Sequence, residues 1–249
     1  MELCSLHPFA PVTVERYVAV VQDGADPPAA WSGGWLEDAR RGVRRARAGD
    51  EVGANAVGYG LALALSTEHP SFAQGGFGLT AWEARIDRGV GMLLRPPARL
   101  LTDAGLAREA AHVLPIRLDL HRGMMGGAYI PARLVPDLQQ LLETRTDRFA
   151  RRLREAEYDP VPTLGLLFEA VTYAQERGLG LFEAMDVVMP DLSAGVVPGA
   201  GVFGPDPKRL DKALRARLIA AAKPARKPGL LARLRVGSRE SGVGRREGW

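Results

Sequence analysis

The chain has 249 residues, 46% of them hydrophobic and 25% charged, which is enough apolar material to close a core without covalent staples. A single cysteine, Cys4, excludes an internal disulfide, and the most apolar window, residues 52–66, is shorter than the roughly 20 residues that cross a bilayer. The net charge of +4 is unevenly placed: residues 223–249 hold eight Lys and Arg against two Glu, a net +6, which leaves the rest of the chain at −2. These numbers predict a soluble, cytoplasmic protein with one domain over 1–222 and a basic, flexible tail over 223–249.

In chain order, Cys4 is expected in a loosely ordered N-terminus, since His7 is the only base near it and nothing else completes a nucleophilic pair. Residues 9–24 place Val14, Tyr17, Val18 and Val21 at helical spacing. Val12, Val14, Val18 and Val20 would also suit a strand, but Pro11 near the start and Gly24 past the end favour a helix. After a breaker-rich loop, a helix runs from about Trp35 to Ala48 with Ser32 as its expected cap. Its apolar face is Trp35, Leu36, Ala39, Val43 and Ala46, and Arg40, Arg41, Arg44, Arg45 and Arg47 crowd the remainder. Such arginines suit a solvated face near the negative end of a helix, and also a surface for nucleic acid. The segment 51–66 is apolar nearly all round and so belongs inside, with Gly53, Gly58 and Gly60 pointing to close backbone packing. Residues 66–78 read as a loop.

The next part is expected to be β-rich. "RIDRGVGMLLRPPARLL" (85–101) resembles "RLDLHRGMMGGAYIPARLV" (117–135): each runs from Arg-aliphatic-Asp through Arg-Gly and an apolar stretch to Pro-Ala-Arg-Leu. Both copies predict an extended run followed by a helix with proline in its first turn. The first helix, about 97–112, is expected to break at Gly105; the second runs from about Pro131 past Ala156. If the extended runs lie side by side, alternation puts Arg85 and Asp87 on one face with Arg117, Asp119 and His121. Asp119, His121 and Asp87 are then the catalytic candidates, one carboxylate taking a proton or a metal, and Arg85, Arg117, Arg122 and Tyr129 the binding candidates. The same residues also suit an ordinary polar strand face held by cross-strand charge pairs.

Further on, a helix is predicted over about 163–177 with its stop at Gly178, a short helix or strand over 179–190, a loop to 207 and a helix from Pro207 to about Ala222. "GAGVFG" (199–204) matches a dinucleotide-binding glycine pattern only formally, because Pro198, Pro205 and Pro207 surround it and no acidic residue follows at the right distance. No phosphate loop, zinc motif or nucleophile elbow occurs, and no cofactor is implied. The fold class is therefore α+β: a small, mainly antiparallel sheet at about residues 79–131, helices on one face, and a basic disordered C-terminal tail. The function expected is that of a soluble, non-enzymatic binding or adaptor module with a protein partner. The alternatives are an enzyme using the charged strand face, or a binder of nucleic acid or an anionic membrane through Arg226, Lys227, Arg233 and Arg235 with the Arg-rich helix.

Overall fold

The structure, a computed structural model, describes residues 3–75, 78–80, 82, 86–111, 126–185, 201–206 and 208–222. The tail residues Arg226, Lys227, Arg233 and Arg235 lie outside them, as do Arg85, Arg117, Asp119, His121 and Arg122. The class is α+β, and the sheet is mostly antiparallel. Five strands stand in the order β3-β4-β1-β2-β5: β1 is Leu3–Phe9, β2 Ser71–Gly75, β3 Gly126–Ile130, β4 Gly180–Met185 and β5 Val202–Phe203. Among the described residues, only β3 falls inside the range 79–131 where the sheet was expected. The other strands come from the N-terminal segment (β1), the presumed loop after residue 66 (β2), the segment 179–190 read as a short helix or strand (β4) and the presumed loop before 207 (β5).

The centre of the sheet is β1, paired antiparallel with β2 (Leu6 opposite Phe72) and with β4 (Phe9 opposite Gly180). Cys4 is therefore not in a loose terminus but 3% exposed in a central strand. Period-two alternation splits each strand between two apolar cores. One core takes Phe9, Tyr129, Phe182 and Ala184; the other takes Leu6, Ile130, Leu181 and Phe72. Helices cover both faces, not one. On the first face lie α1 (Pro11–Gln22), α2 (Gly34–Arg47) and α3 (Glu51–Ser66), and on the second α7 (Val135–Glu155), α8 (Pro160–Glu176) and α9 (Lys212–Ala222).

In α1 the helical reading holds, with Val14, Tyr17, Val18 and Val21 all buried. The cap of α2 is Gly33, with no side-chain hydrogen bond, so Ser32 does not serve. The all-round apolar α3 is interior, with Leu61 fully buried, and its side chain-free positions let it cross α2 closely: a Cβ on Gly53 would come within 2.7 Å of the Gly42 carbonyl oxygen and 2.9 Å of the Ala46 nitrogen. The short helix α4 (Arg88–Gly91) occupies the stretch read as extended, whereas α5 (Pro97–Asp103) and α6 (Arg108–Ala111) fall in the helix expected over about 97–112, parted at Gly105 as expected. Asp87 caps α4 through its carboxylate, which accepts from the Gly89 amide at 2.7 Å; this local bond turns the chain into a helix where alternation suggested a strand.

Candidate functional site

Three polar clusters are buried in the sheet or against it. The first lies on β1. His7 Nε2 is 2.8 Å from Ser5 Oγ, and His7 Nδ1 is 2.9 Å from Ser71 Oγ. Ser5 donates its one proton to the Ala184 carbonyl, so it accepts from Nε2–H, and Nδ1 accepts from Ser71. The imidazole is thereby fixed as the neutral Nε2–H form, and burial lowers its pKa to about 3. Cys4 and His7 are three positions apart on a strand and so face opposite sides, which rules out the nucleophilic pair weighed from the sequence.

The second cluster surrounds Glu183 of β4, which is fully buried. Its carboxylate accepts from the Leu79 amide, the Thr80 amide and hydroxyl, and the Cys4 thiol at 3.5 Å. Burial pushes its pKa up, against the pull of these donors. It therefore ties the segment at 78–80 to the sheet. The recess beside it, lined by Cys4, Leu6, Phe72 and Trp82 among others, has only about 10 Å³, no more than one water occupies.

The third cluster is Asp87, a catalytic candidate from the sequence. Its side chain is 1% exposed and pairs with Arg145 at 2.9 Å and Arg148 at 3.3 Å, both on α7. With the Gly89 amide added, its oxygens are engaged in anchoring α4 to α7. Arg85, Arg117, Asp119, His121 and Arg122 lie outside the described residues, so the paired-carboxylate face is represented by Asp87 alone.

The last sequence candidate, Tyr129, stands in different surroundings. It lines a recess of about 220 Å³ at one end of the sheet, where β1 runs into α1, β3 runs into α7 and β4 begins. The walls are Phe9, Pro11, Val14, Leu100 and Pro131, and the charged residues lining it are Glu15 and Asp103. Tyr129 is 5% exposed, with its ring edge-on to Phe9 at 6.1 Å between centroids. Its hydroxyl makes no hydrogen bond among the described residues, whose only wholly buried, unpartnered side-chain polar atom is Gln139 Oε1. Tyr129 Oη is therefore not sealed from solvent, and Tyr129 is one of the residues that line this recess. Burial raises the phenol pKa, Asp103 raises it further, and Arg99, Arg95 and Arg133 act against it. The hydroxyl stays protonated and is free both to donate and to accept.

Glycine at 180 makes the recess possible. A Cβ there would lie 2.5 Å from two Phe9 ring atoms and 2.8 Å from the Ile130 carbonyl oxygen, so the Phe9 ring rests on bare backbone. The sequence singled out Tyr129 but not Glu15 or Asp103, which line the recess from positions 88 residues apart; no spacing signal carries that.

The arginines of α2 are largely spent within the chain. Arg40 pairs with Glu37, Arg41 with Asp38 and Arg45 with Asp50, which leaves Arg44 and Arg47 without an ion pair among the described residues. Among those residues no group of three or more His, Cys, Asp or Glu is placed to hold a metal ion, and no helix is long and apolar enough to cross a membrane. "GAGVFG" leads into the two-residue β5, and the next helix begins only at Lys212. Compared with known proteins, the chain matches no family model, no curated protein and no solved structure.

Proposed function

We propose that this chain is a binding module whose ligand site is the recess at Tyr129, and that its ligand is a small organic molecule with an apolar body. The observation that carries the reading is a recess of about 220 Å³ with mostly apolar walls, lined by Tyr129, whose hydroxyl has no partner among the described residues. A recess with mostly apolar walls and a few polar groups is the usual form of a small-ligand site. A binding role is favoured over catalysis because, among the described residues, the buried His7, Glu183 and Asp87 are committed to structure. His7 is closed between two serines, Glu183 holds the 78–80 segment, and Asp87 is paired twice. A concave site of this size narrows the protein partner expected from the sequence to a small ligand.

The test uses the neutral fluorophore N-phenyl-1-naphthylamine with the full chain. Ala104 lines the recess, and Ala104→Trp puts an indole into it. Saturable fluorescence enhancement that falls about tenfold in affinity in the variant is expected. Enhancement unchanged by the variant would place the apolar site elsewhere.

A further inference from the structure

We infer that the ligand of the recess is an organic cation: a protonated amine joined to an apolar group, with the apolar part against Phe9, Val14 and Leu100 and the ammonium beside Glu15, Asp103 and Tyr129 Oη. This inference rests on the reading of the recess as a ligand site. Two independent observations meet in it. The lining contains carboxylates and no basic side chain. Separately, Tyr129 lines the same recess, and its hydroxyl, which has no partner among the described residues, is an acceptor for a donor placed beside it. An ammonium supplies three donors, and a phenol oxygen and two carboxylates are three acceptor groups for them. The end of α5 adds to this preference, since Asp103 and Ala104 stand at its C-terminus, the negative end of a helix. The aromatic pair Phe9 and Tyr129 offers ring surface to a cation as well.

The nearby cations do not reverse the sign. Arg95 donates to the Met92 and Leu94 carbonyls, each at 2.8 Å. Arg99 approaches Asp103 at 3.8 Å, but both side chains are more than half exposed, so water and salt weaken that pair. Arg133 is exposed, and none of the three lines the recess. Arg16, next to Glu15, is drawn to Glu68 at 3.6 Å.

The experiment compares three ligands of one chain length, hexylamine, hexanol and hexanoate, by calorimetry on the full chain at pH 7 and low salt. The amine is expected to bind about tenfold tighter than the alcohol, the worth of one charge-assisted hydrogen bond, and the carboxylate weakest. Glu15→Gln and Asp103→Asn, both at exposed positions, are each expected to cut the amine's advantage over the alcohol several-fold. Tyr129→Phe should cut it again. If alcohol and amine bind alike in the wild type, or the preference survives both carboxylate changes, the cation reading is overturned while the apolar site stands. If hexanol and the neutral fluorophore both fail to bind, the site itself is overturned and the cation reading falls with it.

Discussion

Arg95 and Tyr129 exchange both of their backbone hydrogen bonds, Arg95 N to Tyr129 O at 2.8 Å and Tyr129 N to Arg95 O at 2.9 Å. Each residue stands two positions before the proline of a Pro-Ala-Arg-Leu segment, at Pro97 and at Pro131. The two similar stretches of the sequence thus meet at equivalent positions, and an antiparallel pair that exchanges both bonds has a local two-fold axis through its centre. From this bridge the chain enters α5 on one side and α7 on the other, and Tyr129 lines the recess together with Leu100, Asp103, Pro131 and Ala132. One opening event frees both amides, so Arg95 and Tyr129 are expected to show matching hydrogen-exchange protection. An Arg95 amide exchanging at the rate of an open loop, beside a protected Tyr129, would show that the bridge does not form.

Gly180→Ala is expected to destabilise the protein by about 1–3 kcal/mol, the usual cost of forcing a methyl into a packed site. The Phe9 ring can turn away from the new methyl, but the Ile130 carbonyl oxygen, 2.8 Å from it, is backbone and cannot. Phe9 lines the recess, so a ring displaced into it should weaken binding of the neutral fluorophore together with the melting temperature. A variant that melts as the wild type and binds as tightly would mean that the Phe9 ring does not rest on this glycine.

How much of this was legible in the sequence depended on where the polar groups go. The helices were, because Val14, Tyr17, Val18 and Val21, or Leu138, Leu142, Phe149 and Leu153, repeat at helical spacing and are buried as that spacing implies. The central strand was not. In "LCSLHPF" Ser5 and His7 occupy one face and look solvent-directed, yet both are buried, because each satisfies the other and Ser71 completes the set from 64 residues away. A hydropathy pattern has no means of expressing a polar face that is closed by its own hydrogen bonds. The same limit hid Glu183, whose donors come from residues 4, 79 and 80. Asp87 was noticed as a charge but misread in role, since capping a short helix and pairing with arginines 58 and 61 positions later are not visible in its own neighbourhood.

For Asp87 two substitutions separate its tasks. Asp87→Asn keeps an oxygen for the Gly89 amide and loses the charge facing Arg145 and Arg148. Those guanidinium groups are 40% and 50% exposed, so the loss is expected to be only about 1 kcal/mol. Asp87→Ala also removes the cap and should cost about 1 kcal/mol more. Urea denaturation of the three proteins measures both steps. Two variants as stable as the wild type would free this carboxylate for the catalytic part first considered for it.

Leu61 lies fully buried in α3 between the sheet and α2. Leu61→Asp would place a charge with no partner in an apolar site, at a cost of several kcal/mol, comparable to the whole stability of a domain. Loss of cooperative thermal unfolding is expected, and a sharp transition at the wild-type temperature would remove α3 from the core.

His7 gives the sharpest dependence on pH. Its folded pKa is lowered to about 3 by burial, while an unfolded histidine titrates near 6.5. Between those values the unfolded chain binds a proton that the folded protein excludes. The contribution of His7 to stability is therefore complete above about pH 6.5 and is lost progressively as the pH falls toward 3, by at most about 1.4 kcal/mol per pH unit. Carboxylates also titrate in that range, so the denaturation curve alone does not isolate His7, but the ring nitrogens do. Because Ser5 is spent on the Ala184 carbonyl, the proton must sit on Nε2, and it must stay there when free histidine is already charged. Long-range nitrogen–proton NMR of the folded protein at pH 5 is expected to show one neutral Nε2–H imidazole that does not shift between pH 7 and pH 5. A doubly protonated ring at pH 5 would remove Nδ1 as the acceptor for Ser71, and the Nδ1–H form at pH 7 would reverse the direction of the Ser5–His7–Ser71 chain; either would overturn this account of why β1 is buried.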